Sequence, residues 1–293
     1  LSNLINEAAL IAARADKREI EMTDLELAID KVIAGPEKRS RLIPPKEKEM
    51  TAYHEVGHAL MNVLLPHAHP LHKVTIIPRG FALGLTMAVP EEDVLSMTKA
   101  MIVDQIGVCL GGRVAEEVVY GDVTTGAQND LEKSTGLARR MVTEFGMSER
   151  LGPMTFGKRH EQVFLGRDFG HERDYGENIA TAIDEEVSEI ISGQYARVKE
   201  LLLTHRPHMD ALVKALLEKE TLDKKEVDAI LEEVNRRLAL GEDPTSPSSS
   251  DNDRQEPPSA VIVTREEEKQ PVMKESQNDS GGDASPGLTP KFA

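Results

Sequence analysis

Residues 51–60 read Thr-Ala-Tyr-His-Glu-Val-Gly-His-Ala-Leu, and the order His54-Glu55-x-x-His58 constrains the fold more than any other stretch. On a helix, positions four apart share one face with about 5–6 Å between their Cβ atoms, so His54 and His58 can reach one metal ion. Zinc used for hydrolysis needs protein ligands, an open position and a carboxylate that takes a proton from water; Glu55 is placed for that last role. The same helix has to bury its other side. Ala52, Val56, Ala59, Leu60, Val63 and Leu64 supply the apolar stripe, Pro44-Pro45 can open the helix, and Lys46–Met50 suit its first turns. Gly57 costs helix stability but lets another backbone pass close to the metal face. The plainer alternative, an amphipathic helix with two solvent-facing histidines, does not account for that combination.

Two histidines leave the site one ligand short, since catalytic zinc takes three protein ligands. A metzincin pattern would place Gly at position 61 and His at position 64; Met61 and Leu64 stand there and exclude it. A thermolysin-like arrangement takes a Glu from a later helix, for which Glu116 and Glu117 in GGRVAEE are candidates and Glu92 is another. Asp130 is a third option, because the Gly-containing loop 121–129 can bring a helix N-terminus up to the metal. An Asp in a helix's first turn is also favoured by the macrodipole alone, so the residues by themselves leave the choice open.

Around this site the chain reads as mainly α. Leu1–Ala15 has helical apolar spacing, and Thr23-Asp24-Leu25-Glu26 forms a capping box for a second helix that stops at Gly35-Pro36. Glu37–Lys48 reads as a charged, proline-bearing linker. Val74–Pro78 and Leu83–Val89 flank a Gly-containing turn and predict a small β-hairpin beside the active-site helix. Glu91–Tyr120 predicts a long helix, bent or closely packed at Gly111-Gly112, and Asp130–Phe145 another. A short strand is expected at Met154–Phe156, then helices over Arg173–His205, Pro207–Glu218 and Asp223–Ala239. Beyond Gly241 the composition turns to Ser, Pro, Asp, Glu and Gln, which predicts a disordered acidic tail despite the apolar patch Ala260–Val263.

The formal net charge of −16 argues against nucleic-acid binding. The single Cys109 can form no intrachain disulfide, and a reducing compartment is the natural setting. No run of eighteen apolar residues occurs, and the chain begins at Leu1 in mid-helix pattern, so it reads as a piece of something longer.

The pieces LINEAALIAAR, TAYHEVGHAL, HKVTIIPRG, ALGLT, GGRVAEEVVYG, TTGAQNDLEKST, EFGMSERLGP and VFLGR follow one another up to about Gly170. In wording and order they resemble the FtsH family of ATP-dependent zinc proteases. The resemblance implies that His54, His58 and Asp130 bind one Zn2+, that Glu55 is the general base, and that Glu116 holds a ligand imidazole through its other nitrogen. It implies three parts: residues 1–36 as the last helices of an AAA lid subdomain, 37–240 as a zinc peptidase domain, and 241–293 as the tail. It also implies polypeptide substrates, unfolded or membrane proteins among them, and a homo-hexamer on the cytoplasmic face of a bacterial inner membrane or on an organelle membrane. Membrane attachment would come through N-terminal segments outside this chain. No G-x-x-x-x-G-K-[ST] occurs, so ATP belongs to the full-length protein only. The strand Val74, Thr75, Ile76 and Ile77 is the expected place for substrate, by addition of an extended peptide to an exposed edge. The rival from another class is an assembly module whose zinc is structural or absent.

Overall fold

The computed structural model describes residues 1–38, 42–80, 82–90, 94–157 and 175–242. Two helices, α1 (Ser2–Arg14) and α2 (Met22–Ala34), pack on each other as an antiparallel pair joined by a short turn. The cap of α2 falls earlier than the sequence pattern suggests: the Glu21 amide donates to Asp24 Oδ2 at 3.0 Å, and Thr23 already lies in the first turn. Gly35, at φ +85°, ends that helix in a backbone region that favours glycine.

Pro45 occupies the first turn of α3 (Pro45–Leu64), where a missing N–H costs nothing. That helix stops at Leu65, which takes an extended conformation because Pro66 follows it. Next come β1 (Leu71–Thr75), β2 (Leu85–Ala88) and α4 (Lys99–Tyr120). Helix α4 starts at the Thr98 cap, whose hydroxyl accepts from the Met101 amide, so residues 94–98 are not helical as Glu91–Tyr120 had implied. A single 3-10 turn at Thr125–Ala127 leads into α5 (Gln128–Thr143). Met154–Phe156 forms no strand. Helices α6 (Glu177–Thr204) and α7 (Arg206–Lys219) are separated at His205 by the Arg206-Pro207 start. Strand β3 (Thr221–Asp223) then hands directly to α8 (Lys224–Leu240), with Asp223 and Glu226 capping each other reciprocally.

Among the described residues the sheet is therefore three-stranded and antiparallel in the order β2-β1-β3. Val74 faces Thr86 on one side and Leu222 on the other; Thr75 faces Leu85 and Thr221. The predicted hairpin is present with shifted bounds, and the strand that completes it comes from about 150 residues further along. This corrects the reading of Val74–Ile77 as an exposed edge. β1 is central, the Ile76 amide is bonded to the Glu220 carbonyl at 3.0 Å, and the Ile77 amide to Thr75 Oγ1.

The core sits where α3 crosses α4. Val56, Ala59, Leu60 and Met61 of α3 are buried with Ile102, Ile106, Leu110 and Val114 of α4, and α6 and α7 close the sides through Val198, Leu202, Met209 and Leu212. With no Trp and few aromatics, this core is aliphatic, and close helix approach does the work that large rings do elsewhere. That approach is set by glycine. A Cβ at Gly57 would stand 2.4 Å from the Gly111 carbonyl oxygen, and one at Gly111 would stand 2.6 Å from the Gly57 oxygen. Asp30 of α2 meets Lys73 of β1 and, at 3.3 Å, Arg79, which also bonds Glu37 at 2.6 Å. Asp30 and Arg79 are both buried, and breaking such a pair leaves an uncompensated buried charge. The tail from residue 243 on, the VFLGR segment and Glu92 lie outside the described residues.

Candidate metal centre

His54 and His58 project from one face of α3 toward α4, their ring centroids 4.8 Å apart. Each ring is oriented through Nδ1. His54 Nδ1 donates to Glu116 Oε1 at 2.7 Å, and His58 Nδ1 donates to the Val108 carbonyl at 2.7 Å. These acceptors assign the proton to Nδ1 in both rings and turn the two Nε2 lone pairs inward, 3.1 Å apart. Asp130 Oδ2 lies 3.4 Å from each of them. Three electron-pair donors thus converge within 4.8 Å of one another, an N2O set of the kind zinc takes. The residues fit the metal.

The electrostatics point the same way. Burial disfavours charge on His54, yet the Asp130 and Glu116 carboxylates outweigh it, and the imidazole is pushed up to about 10. Burial also works against an ionised Asp130, but the two imidazoles hold its carboxyl well below the usual carboxylate range. Two carboxylates flanking one imidazole demand positive charge at this point. A proton supplies it on His54; a divalent metal supplies it with the imidazole neutral.

Asp130 arrives at the third turn-residue of α5, and that helix has no side-chain cap hydrogen bond. Its Oδ1 faces Lys133 at 3.6 Å instead. Glu116 does two things at once. Besides holding His54, its carboxylate accepts from the Thr124 amide at 2.7 Å and the Thr124 hydroxyl at 3.1 Å, tying the loop before α5 to α4. Its acidity is raised: burial opposes the charge, but the His54 and Thr124 hydrogen bonds lower its pKa. Glu117, one residue on, points to another face, as a helical step of 100° requires, and bonds Lys199 and Tyr195. Gly112 keeps the metal side open, since a Cβ there would stand 2.6 Å from both His54 Nε2 and His58 Nε2.

Glu55 is buried beside the histidines. Its carboxylate Oε2 accepts from the Thr86 hydroxyl at 2.7 Å, and the same hydroxyl lies 2.9 Å from the Glu55 carbonyl. Val74–Thr75 lies on β1, beside β2; among the described residues the side-chain hydrogen bond to the Glu55 carboxylate comes from Thr86 of β2. Sequence reasoning missed Thr86, Gly84, Thr124 and the Val108 carbonyl, because nothing in a strand pattern or an apolar helix run marks a partner in another element. Gly111-Gly112 was visible as a close-packing signal, though not which helix it meets.

A family model described as peptidase family M41 matches residues 41–230. The ATP-dependent zinc metalloprotease FtsH 3 of Symbiobacterium thermophilum is 52% identical over 235 residues, covering 80% of this chain and 38% of that protein. The ATP-dependent zinc metalloprotease FtsH 1 of a Thermoanaerobacter species is 54% identical over 230 residues, 78% of this chain and 38% of its own length. FtsH of Thermotoga maritima is 50% identical over 234 residues, with 80% and 38% covered. The chain spans a little over a third of the length of the relatives it matches.

Proposed function

The chain belongs to peptidase family M41, and from that premise we propose that it is the zinc-dependent endopeptidase part of a longer, FtsH-type ATP-dependent protease. The observation that carries the reading is the convergence of His54 Nε2, His58 Nε2 and Asp130 Oδ2 beside the buried Glu55 carboxylate. In this reading His54, His58 and Asp130 hold the zinc, Glu55 is the general base, and Glu116 fixes the tautomer and orientation of His54. Zinc bound there would supply Lewis acidity toward water and the scissile carbonyl. Glu55 takes the proton from the attacking water and returns it to the leaving amine. Gly112 leaves room at the metal face, and the Val108 carbonyl keeps His58 in register.

The idea of substrate adding as an extended strand moves from β1 to β2. Among the described residues the outer side of Leu85–Ala88 is unpaired, and β2 is the strand in contact with Glu55. Main-chain pairing there gives affinity with little side-chain specificity, which suits a protease acting on unfolded polypeptides. Helices α1 and α2 are read as the end of an AAA lid subdomain, residues 37–240 as the peptidase domain and 241–293 as a tail. Exposed Ile5, Leu10, Val32 and Ile33 on the paired helices support that reading, since such apolar positions suit further packing. A homo-hexamer, anchored to a membrane by segments outside this chain and facing the cytoplasm, is the assembly proposed; no described helix is long and apolar enough to cross a membrane.

The test is Glu55→Gln. It keeps all three ligands and removes only the proton acceptor, so zinc stoichiometry should stay at one while casein cleavage falls by about 10²–10⁴-fold. Near-normal cleavage by the zinc-loaded variant would sink the reading, as would cleavage by the unmodified chain that survives a chelator. A chain that binds zinc yet never cleaves would favour the assembly-module rival.

A further inference from the structure

A base is useful only if its carboxylate stays within reach of the proton it takes, and a Glu side chain has three rotatable bonds with which to leave. Two residues of the segment entering β2 restrict Glu55. Thr86 is, among the described residues, the one side-chain donor on its carboxylate, at 2.7 Å from Oε2. A hydrogen bond from a neutral donor to an ionised acceptor is the strong, orienting kind. The second restraint is steric. A Cβ at Gly84 would lie 2.6 Å from Glu55 Cγ, 2.7 Å from Oε1 and 2.9 Å from Cδ. The Glu55 side chain therefore lies against the bare Cα of Gly84, with the Thr86 hydroxyl on the other oxygen.

An ordinary structural role would explain part of this. A strand threonine that reaches a helix carbonyl, as Thr86 does with the Glu55 oxygen at 2.9 Å, is a common way to dock a sheet on a helix. That role does not account for the shorter contact to Oε2, nor for Gly84. The backbone of Gly84 does not require glycine, since it is not in the left-handed region. What glycine supplies here is space, and the atoms occupying that space belong to Glu55.

We propose that Thr86 and Gly84 are positioning residues for Glu55, holding its carboxylate in the pose from which it acts. This rests on the reading of Glu55 as the base. The steric detail makes it testable without wrecking the fold. The atoms that an alanine methyl at 84 would strike are the end of a flexible side chain, so the carboxylate moves and the backbone does not.

The zinc-loaded chain is compared with Thr86→Val, Thr86→Ser and Gly84→Ala by steady-state cleavage of a peptide, zinc stoichiometry, and melting of the zinc-free forms. Thr86→Val and Gly84→Ala should lower kcat by roughly ten- to a hundredfold, the range that a hydrogen bond to a charged group carries, with KM, zinc content and melting unchanged. Thr86→Ser, which keeps the hydroxyl, should stay within a few-fold of the unmodified chain. Adding Thr86→Val to Glu55→Gln should cause no further loss. The proposal is overturned if kcat survives both substitutions, or if serine is as damaging as valine. A loss of zinc or of melting temperature that tracks the loss of kcat overturns it too, because it makes the pair scaffold alone. Near-normal cleavage by Glu55→Gln would instead remove the base reading itself, so the two failures are distinguishable.

Discussion

Gly57→Ala puts a single methyl into the crossing on which the metal centre is built. Its Cβ would stand 2.4 Å from the Gly111 carbonyl oxygen, 2.8 Å from the Gly111 carbonyl carbon and 2.8 Å from the Ala115 methyl. Two of those atoms are backbone, so no side-chain rotation relieves the contact, and α3 and α4 have to part. Restoring an ordinary 3.4 Å contact takes about 1 Å of separation. A gap of that size forfeits roughly a quarter to a half of the dispersion attraction across it. Overpacking of this kind costs about 1–3 kcal/mol and occasionally more, and the backbone contact puts this case at the upper end. Alanine's better helix propensity offsets about 1 kcal/mol of that. The net destabilisation is about 2 kcal/mol, or about 4–8 °C in melting temperature for a domain of this size. The assay is calorimetric or dichroism melting of the zinc-free protein, with Gly193→Ala as control. A Cβ at Gly193 meets nothing within 4 Å, so that variant should be unchanged or slightly more stable. The His54–Glu116 and His58–Val108 hydrogen bonds span the same crossing, so Gly57→Ala should also weaken zinc binding. A Gly57→Ala protein that melts at or above the unmodified one would refute the reasoning.

Asp130→Asn should release zinc or bind it far more weakly, whereas Glu116→Gln should lose about 10–100-fold in affinity or activity with the site still formed. Zinc stoichiometry on folded variants decides it; full zinc in Asp130→Asn would make Asp130 a helix-end residue only, a role Asn fills about as well. Gly112→Ala should abolish zinc binding with little change in zinc-free melting, because its methyl strikes the two imidazole tips rather than backbone; a variant that loads zinc normally would contradict this. At high pH, burial pushes Tyr195 up to about 12, aided by its Glu117 partner, and burial likewise pushes Tyr120 up to about 12. Unfolded tyrosine ionises near pH 10, so the stability these groups contribute is fully present below about pH 10 and lost as pH rises toward about 12. Alkaline unfolding followed together with ultraviolet tyrosinate absorbance should coincide in that window; a transition complete below pH 10 would be inconsistent.

Most of what was legible in the chain is local. The i, i+4 histidines, the apolar stripe of α3 and the Pro45 start are all encoded within a turn or two of helix, where period and side-chain type suffice. Most of the helices, the β1–β2 hairpin and the residues His54, Glu55 and His58 could therefore be found without coordinates. Local signals misled where neighbours compete: the α2 cap moved from Thr23 to Glu21, and α4 begins at Lys99, capped by Thr98, rather than at Glu91.

Long-range pairing is another matter. Strand β3 is three residues long and carries no strand signature; its place beside β1 is decided by main-chain bonds from Lys73–Thr75, and that pairing makes β1 central and, among the described residues, β2 the edge. Which of Glu116, Glu117 and Asp130 approaches the two Nε2 atoms depends on the rotation of α4 about its axis and on the entry of α5. The Gly57–Gly111 contact and the Glu116–Thr124 bonds set both. A sequence specifies residue types at periodic positions, so it determined that a helix would present two imidazoles and a carboxylate. Distances between elements arise only when side chains interlock in three dimensions, so the tertiary structure alone decided what stands opposite them, down to the Thr86 hydroxyl on Glu55.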